Sequence, residues 1–521
     1  MCRLPSGDIH LFIKDFNWRI KIKYAIITYD GSPASIAAQL LREGNVVLYA
    51  QVENPKDLGV DSGLSQEETP EAKKRRLSIY DGILHKMKVN DLLSYLSKVK
   101  DEEKDDWFFI VDFNSLFKVA QKVHKMGFNK GMFPTEDDFN REKDRNASKE
   151  FVKKNYTKLK VAETHKFNKI DDGIAFLREN KGQFALKSDG NFVDTVVPLT
   201  DNDDFAREEL IFQLKKNQSG YEKGYTLEQK IKNPIEVAPQ LIFWDGEVIA
   251  STIDIETRMI GSSETGFQTG GNENAVFQTS LKDPINKLAF PPAVYEIAKN
   301  RKGMFIFDCG ILFDEKGDAY FTEFAGNRWG WGGVFSELSM ARTESRCASE
   351  YFEAIASGKN PFKYAYGTTL SIYNLLPDKD ETGLYRDGIP FQWDPKINHV
   401  FFPYQVRKEK VETGEDETME MTLQVGSTYT CGLLAYTTGY GNTFDEAVDT
   451  LYKNFDSNVY CGSMYYRPKL DFKTTTYTAA LKNRINYLLQ KGLISGKIDK
   501  PNEDKAIVES YVRAISKSIK Y

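Results

Sequence analysis

The hydrophobic pattern opens with an unbroken apolar run over 24–29 ("YAIITY"). Asp30-Gly31-Ser32-Pro33 follows, then an Ala/Leu-rich stretch of helical period to Arg42, Gly44, and a second apolar run over 45–51. A short apolar run bounded by turn residues reads as a buried strand, and a glycine just past a periodic stretch reads as a helix stop. The segment therefore predicts a βαβ unit. "DDWFFIVD" (105–112) predicts a further buried strand with a helix after it, and strands alternating with helices predict a mostly parallel sheet. The first turn is not G-x-G-x-x-G, so the dinucleotide fingerprint is absent and a plain Rossmann-like unit is expected.

From about Pro134 the pattern becomes polar and helical. "NASKEFVKKNY" (146–156) reads as a helix start capped near Asn146 or Ser148, and "IDDGIAFLRENKG" (170–182) as an amphipathic helix with a glycine stop. "QFALKSDG" (183–190) reads as a strand ending in Lys187-Ser188-Asp189-Gly190. "EVAPQLIFWDGEVIAST" (236–252) predicts a hairpin turning at Asp245-Gly246, because Asp-Gly suits a two-residue turn with positive φ. A second hairpin is expected over 303–324, a β-rich region over 368–472, and two amphipathic helical patterns over 479–489 and 506–519. No internal repeat or low-complexity tract interrupts this order.

A chain of 521 residues is long enough for three or more units with ample core. The hydrophobic fraction of 41 % and charged fraction of 28 % are those of a soluble globular protein, and a formal net charge of -5 argues against a nucleic-acid-coating surface. Five scattered cysteines without a C-x-x-C pair read as reduced thiols, hence a cytoplasmic setting. No apolar stretch reaches the ~20 residues needed to span a bilayer, and residues 1–21 read as an N-terminal extension rather than a signal peptide.

Candidate chemistry concentrates in "TEFAGNRWGWGG" (322–333). A carboxylate and an amide oxygen at a strand end suit a hard cation such as Mg²⁺, and Arg328 can fork onto a phosphate or carboxylate. Taken alone, the stretch is equally compatible with a strand end bearing a surface salt bridge. If the 303–324 hairpin turns on Lys316-Gly317, Asp308 faces Ala325 and Glu323 faces Gly310. Asp308 and Glu323 then share a face roughly 7 Å apart, where two carboxylates repel unless a cation lies between them. A three-residue turn would put them on opposite faces.

The order of these elements, with "NASKEFVKK", "FALKSDG", "EQKI" followed by Glu236, "TRMIGSSETGFQTGG" (257–271), "TEFAGNR" and "TCGLLAYTTGYGNTFDEAVDTLYKNF" (430–455) leading to "MYYRPKLDF", resembles the ATP-grasp ligases. Within them the closest match is the glycinamide ribonucleotide synthetase (phosphoribosylamine–glycine ligase) family, over roughly residues 22–472. The resemblance implies an α/β and α+β multidomain fold. A Rossmann-like domain over 22–132 would be followed by an ATP-grasp domain of two subdomains over 133–365, a β-rich C-terminal domain over 366–472 and a helical extension over 473–521. It implies ATP and Mg²⁺: Lys149 and Lys187 on the phosphates, the backbone of Glu228, Gln229, Lys230 and Ile231 on the adenine edge, and Glu236 on the ribose hydroxyls. Glu323, Asn327 and Asp308 become metal ligands. Arg328 and Arg258 become catalytic groups, Arg328 orienting the carboxylate to be activated. Thr269, Gly270 and Gly271, read as an anion-binding turn, and Asp30, Gly31 and Ser32 fall on the substrate side.

The chain departs from that family in ways that bear on substrate. Asp30-Gly31-Ser32-Pro33 replaces a glycine-rich turn followed by Arg-Glu-His. The lid after Lys187 lacks its glycines and second lysine, and Glu-x-Asn is replaced by Glu323 with Asn327 four residues on. Thr430-Cys431-Gly432 stands where the family has Gly-Gly-Arg. The expected activity is therefore an ATP-dependent ligase joining a small-molecule carboxylate, such as an amino acid, to an amine other than phosphoribosylamine, in a monomer or homodimer without nucleic-acid or membrane partners. Genuine phosphoribosylamine–glycine ligation and a non-catalytic nucleotide-binding role are the alternatives.

Overall fold

The computed structural model describes residues 22–54, 70–188, 195–198, 200, 202–221, 224–327, 329–375, 387–414, 417–426, 432–455 and 458–496. The opening βαβ unit forms as its pattern predicts. Strand Lys23–Thr28 leads through Asp30-Gly31 to helix Ala34–Arg42, Gly44 takes positive φ, and strand Val46–Gln51 lies parallel to the first. Trp107–Val111 pairs on the other side of Lys23–Thr28, also parallel. All five of its side chains are buried, as expected of a strand covered on both faces.

The sheet does not end there. Gly131–Met132 pairs in parallel with both Trp107–Val111 and Met304–Asp308. Beyond this seam the ladder becomes antiparallel: Met304–Asp308, Ile235–Trp244, Glu247–Gly261, Thr265–Gln278, Tyr366–Asn374, Leu433–Gly441 and Phe401–Pro403 follow in order. The result is a large mixed sheet in an α/β fold; strands Tyr366–Asn374, Leu433–Gly441 and Phe401–Pro403 of the C-terminal region continue it, beside two separate two-stranded sheets.

The Asp245-Gly246 turn carries positive φ at both residues, and Trp244 pairs directly with Glu247, the geometry that Asp-Gly favours. Asp245 Oδ1 also accepts from the Gly303 amide at 2.8 Å. Phe108 stacks on Trp244 at 6.2 Å and packs against Phe352 at 5.2 Å, so apolar contacts cross the seam.

A smaller antiparallel sheet of Thr164–Phe167, Tyr225–Gln229 and Phe184–Ser188 stands apart with helices Ile170–Glu179 and Asp203–Lys216. Its own core includes Leu177, Leu186, Leu210, Leu214 and Leu227. Helix Arg145–Asn155 leads into it. The cap of that helix is Asp144, whose carboxylate accepts from the Asn146 and Ala147 amides, not Asn146 or Ser148. An aspartate one residue upstream of the quoted motif satisfies two of the first-turn N–H groups, leaving Ser148 inside the helix.

Helix Leu481–Gln490 realises the first of the two C-terminal helical patterns and packs on the antiparallel strands; the second, 506–519, lies outside the described residues. Cys309 and Cys347 are buried free thiols and Cys461 is a half-buried one. Among the described residues no helix is long and apolar enough to cross a membrane.

The seam leaves no room for a side chain. Gly131 has φ +135°, and a Cβ there would collide with the Phe109 backbone. Gly131→Ala is expected to cost about 2–4 kcal/mol, summing backbone strain and overpacking, measured by denaturant unfolding. Loss of under about 0.5 kcal/mol, the scatter of ordinary surface changes, would show that the seam is not tight.

Candidate active site

The antiparallel strands turn one face toward a cavity of about 470 Å³. Period-two alternation decides which side chains enter it. Glu236, Ala238 and Gln240 come from one strand, Asp254, Glu256 and Arg258 from the next, and Ile306 and Asp308 from a third. The intervening Ile253, Thr257 and Phe307 are buried away from the lining, and Val237 and Ile255 are buried while bordering it. Thr269, Gly270, Glu323, Trp331, Glu337 and Arg145 complete the parts of the wall used below.

Asp308 and Glu323 meet by a route that differs from the expected register. The loop 314–318 has five residues, so Ile311 pairs with Phe321 and Phe313 with Ala319, one residue out of the expected pairing. In an unbroken ladder this would put the two carboxylates on opposite faces. A bulge corrects it: Thr322 N donates to Gly310 O while Gly310 N donates to Glu323 O, so two residues face one. The Ala325 amide then donates to the Asp308 carboxylate, as does the Gln240 side chain. Burial, then the neighbouring Glu323, pushes the Asp308 carboxyl well above the usual carboxylate range. Glu323 is exposed at the rim.

Asn327 is elsewhere. Its Nδ2 donates to Val111 O at 2.9 Å and its Oδ1 accepts from Trp329 Nε1 at 3.0 Å, tying this segment to the end of the parallel strand. It lines a separate, smaller pocket. Arg328 lies outside the described residues.

Arg258 is held by two acids, with Nη2 3.3 Å from Glu236 and Nε 3.0 Å from Glu256. Glu236, then Glu256, raises its pKa. The hairpin bearing Arg258 is pinned from the C-terminal region. The fully buried Arg467 reaches Glu273 at 3.0 Å, Glu264 at 2.6 Å and the Met259 carbonyl. Arg484, on the C-terminal helix, donates to the carbonyls of Glu236 and Glu256 at 3.2 and 2.9 Å.

Thr269-Gly270-Gly271 is not a turn but part of strand Thr265–Gln278. The glycines serve close packing: a Cβ on Gly270 would lie 2.8 Å from the Trp331 ring, and one on Gly271 3.0 Å from Glu256 Oε2. The Asp30-Gly31-Ser32 turn does not line the cavity. Asp30 Oδ1 accepts from the Ser32 amide at 2.9 Å, and Ser32 Oγ donates to Asp112 at 3.1 Å.

In the small domain, Lys149 and Lys187 converge on Glu228. The Lys187 ion pair is 2.6 Å long, and Lys149 contacts the other carboxylate oxygen. Burial opposes ionisation of Glu228, but Lys187 and then Lys149 outweigh it and hold the carboxyl below its usual range. Arg145, one helical turn before Lys149, lines the cavity. Two ammonium groups therefore meet one carboxylate, with Arg145 beside Lys149, a net positive patch. Gln229 N donates to Glu163 O and Lys230 N to Gln183 O, while Lys230 Nζ bonds the Thr200 carbonyl at 3.2 Å. Ile231, next in the chain, is half-buried.

Sequence reasoning missed Arg145, Asp254, Glu256, Trp331 and Glu337. A signal existed for two of them: Asp254, Glu256 and Arg258 alternate in "STIDIETR", a half-polar strand pattern. Arg145 follows its helix cap directly, where a first-turn cation is unexpected on dipole grounds.

Comparison with solved structures identifies the architecture. The chain is similar to phosphoribosylamine–glycine ligase from Thermotoga maritima (TM-score 0.56, 12% identity, 85% of this chain and 99% of that chain covered). It is also similar to the biotin carboxylase–ATP analogue complex from Campylobacter jejuni (TM-score 0.52, 13% identity, 89% and 99% covered). Both are ATP-grasp enzymes, and the chain has the ATP-grasp fold. No protein-family signature and no curated protein sequence matches it.

Asp112 provides a test of the seam's electrostatics. It is fully buried, accepts from the Trp329 amide at 3.0 Å and Thr28 Oγ1 at 3.0 Å, and is pushed from 3.8 to about 8 by burial and then by Asp30. A carboxyl protonated in the fold and ionised when unfolded makes the native state bind more protons, so stability falls as pH rises from about 4 to about 8. Asp112→Asn is expected to flatten that slope in unfolding experiments across the same range. An unchanged slope would contradict the assignment.

Proposed function

We propose that the chain is an ATP-dependent carboxylate–amine ligase. The observation that carries this reading is a cavity that holds the Asp308–Glu323 pair together with Arg145, which neighbours Lys149 and, beyond it, Lys187. A triphosphate needs several point charges, and these three supply them. Asp308 and Glu323 fit a hard divalent cation: both offer oxygen donors, and their mutual repulsion is relieved by one. Among the described residues no group of three or more Asp, Glu, His or Cys side chains encloses an ion. That suits Mg²⁺, which takes one or two carboxylates and completes its shell with phosphate oxygens and water. When bound it neutralises charge on the transferring phosphoryl group.

In this reading Glu236 accepts the ribose hydroxyls, the Glu228–Ile231 segment borders the adenine, and Arg258 with Arg328 orients the carboxylate. The substrate carboxylate takes the γ-phosphoryl group, releasing ADP. The amine lone pair then attacks the acyl carbon, the C–O bond to phosphate breaks, and the products are an amide, phosphate and one proton. Positioning and charge neutralisation supply the rate, so no nucleophilic side chain is required.

The identity of the amine follows in part from the first turn. The turn Asp30-Gly31-Ser32-Pro33 carries no cation that could hold a phosphorylated amine. Phosphoribosylamine is therefore disfavoured as substrate.

Glu323→Gln is expected to lower ADP release roughly 10²–10³-fold, the scale of removing one electrostatic group from a transition state, with an unchanged unfolding midpoint. Lys187→Met is expected to raise the KM for ATP more than it lowers kcat. ADP release assayed with pooled amino acids and pooled amines tests the reaction itself: nucleotide binding without turnover across both pools would favour a non-catalytic role.

A further inference from the structure

We propose that Asp254 and Glu256 form a receptor for an ammonium group, so that the amine substrate enters the cavity as a cation. This rests on the ligase reading above and names the class of its second substrate.

The two acids alternate on one strand and both line the cavity. Helix Gly332–Ala341 covers them. Gly333 makes the approach possible, since a Cβ there would overlap Asp254 Oδ2. Glu337, one turn along the same helix, also lines the cavity and adds a third carboxyl, held by Tyr351 Oη at 2.6 Å. Among the described residues Arg258 is the cation paired with a carboxylate of this group, and it is shared with Glu236. Burial raises the pKa of all three acids, and a cation placed among them favours their ionised forms.

A second observation points to a ligand rich in N–H donors. The side chain of Asn274, 1% exposed, reaches into the pair from the facing strand, with Nδ2 3.3 Å from Asp254 Oδ1 and 3.5 Å from Glu256 Oε2. Its unpartnered Oδ1 packs against Gly332, off the cavity lining, and takes no part in the site. No donor among the described residues reaches Asp254 Oδ2. Acceptors therefore outnumber donors where the cavity wall is most acidic. An ammonium brings three donors and no acceptor. The Trp331 ring lines the same wall while its Nε1 donates to Glu256 at 3.2 Å, and an indole face attracts an organic cation. A hard metal ion has no use for that face or for the two N–H groups already directed at the carboxylates.

The test uses the full chain without nucleotide. Binding of n-butylammonium and 1,4-diaminobutane at pH 7 is followed by calorimetry, with 1-butanol and butyrate as neutral and anionic counterparts. The amines are expected to bind and the counterparts not. Asp254→Asn, close in shape to the parent, is expected to weaken amine binding at least about tenfold, as for loss of one charge-assisted hydrogen bond, while ATP affinity stays unchanged. Equal binding of 1-butanol, or full amine affinity in Asp254→Asn, would overturn the assignment. So would binding of Mg²⁺ alone that Asp254→Asn abolishes while neither amine binds. Amine binding lost in Asp254→Asn, with no amine-dependent ADP release from the parent, would leave the receptor standing and remove the ligase reading. Amine-dependent ADP release unaffected by Asp254→Asn would do the reverse.

Discussion

Everything in this molecule hangs on the contact where Gly131–Met132 fits between Trp107–Val111 and Met304–Asp308. Two residues of strand convert a parallel sheet into one edge of an antiparallel one. The backbones approach so closely that Gly131 and Gly303 must both lack side chains, since a Cβ on Gly303 would strike the Gly131 carbonyl. This contact brings the ends of strands Lys23–Thr28 and Trp107–Val111, with Asp30 and Asp112, up to the segment carrying Glu323, Asn327 and Trp329. The carboxylate end of the cavity and the first turn are thus connected through one continuous sheet.

Within that frame, burial sets the electrostatics. Asp308 and Asp112 are pushed upward first by desolvation and second by a like charge. Glu228 goes the other way, because two ammonium groups outweigh the same penalty. A cavity with acids that burial pushes toward protonation on one side and Arg145 on the other is polarised before any ligand arrives. Preorganisation of that kind places the cost of charge arrangement in folding rather than in binding.

The regular elements were legible because their signals are local. The first βαβ unit, the Asp245-Gly246 hairpin and the Trp107–Val111 strand follow from apolar runs and turn residues a few positions apart. What failed depended on contacts far away in sequence. The Asp308–Glu323 register needed a bulge that no periodicity announces, and the outcome matched expectation only because loop length and bulge cancel. Thr269-Gly270-Gly271 reads as a turn until Trp331, some sixty residues on, is seen to claim the space its glycines leave. Asn327 carries the right atoms for a metal, yet Val111 and Trp329 take them, and nothing between 322 and 333 reveals those partners.

Arg484 ties the last described helix to the carbonyls of Glu236 and Glu256. During synthesis on a ribosome the parallel half and the small domain emerge long before that guanidinium does, and domains fold as they appear. The nascent chain therefore carries its acid-rich strands incompletely braced until the last described helix has been made, so the cavity matures late.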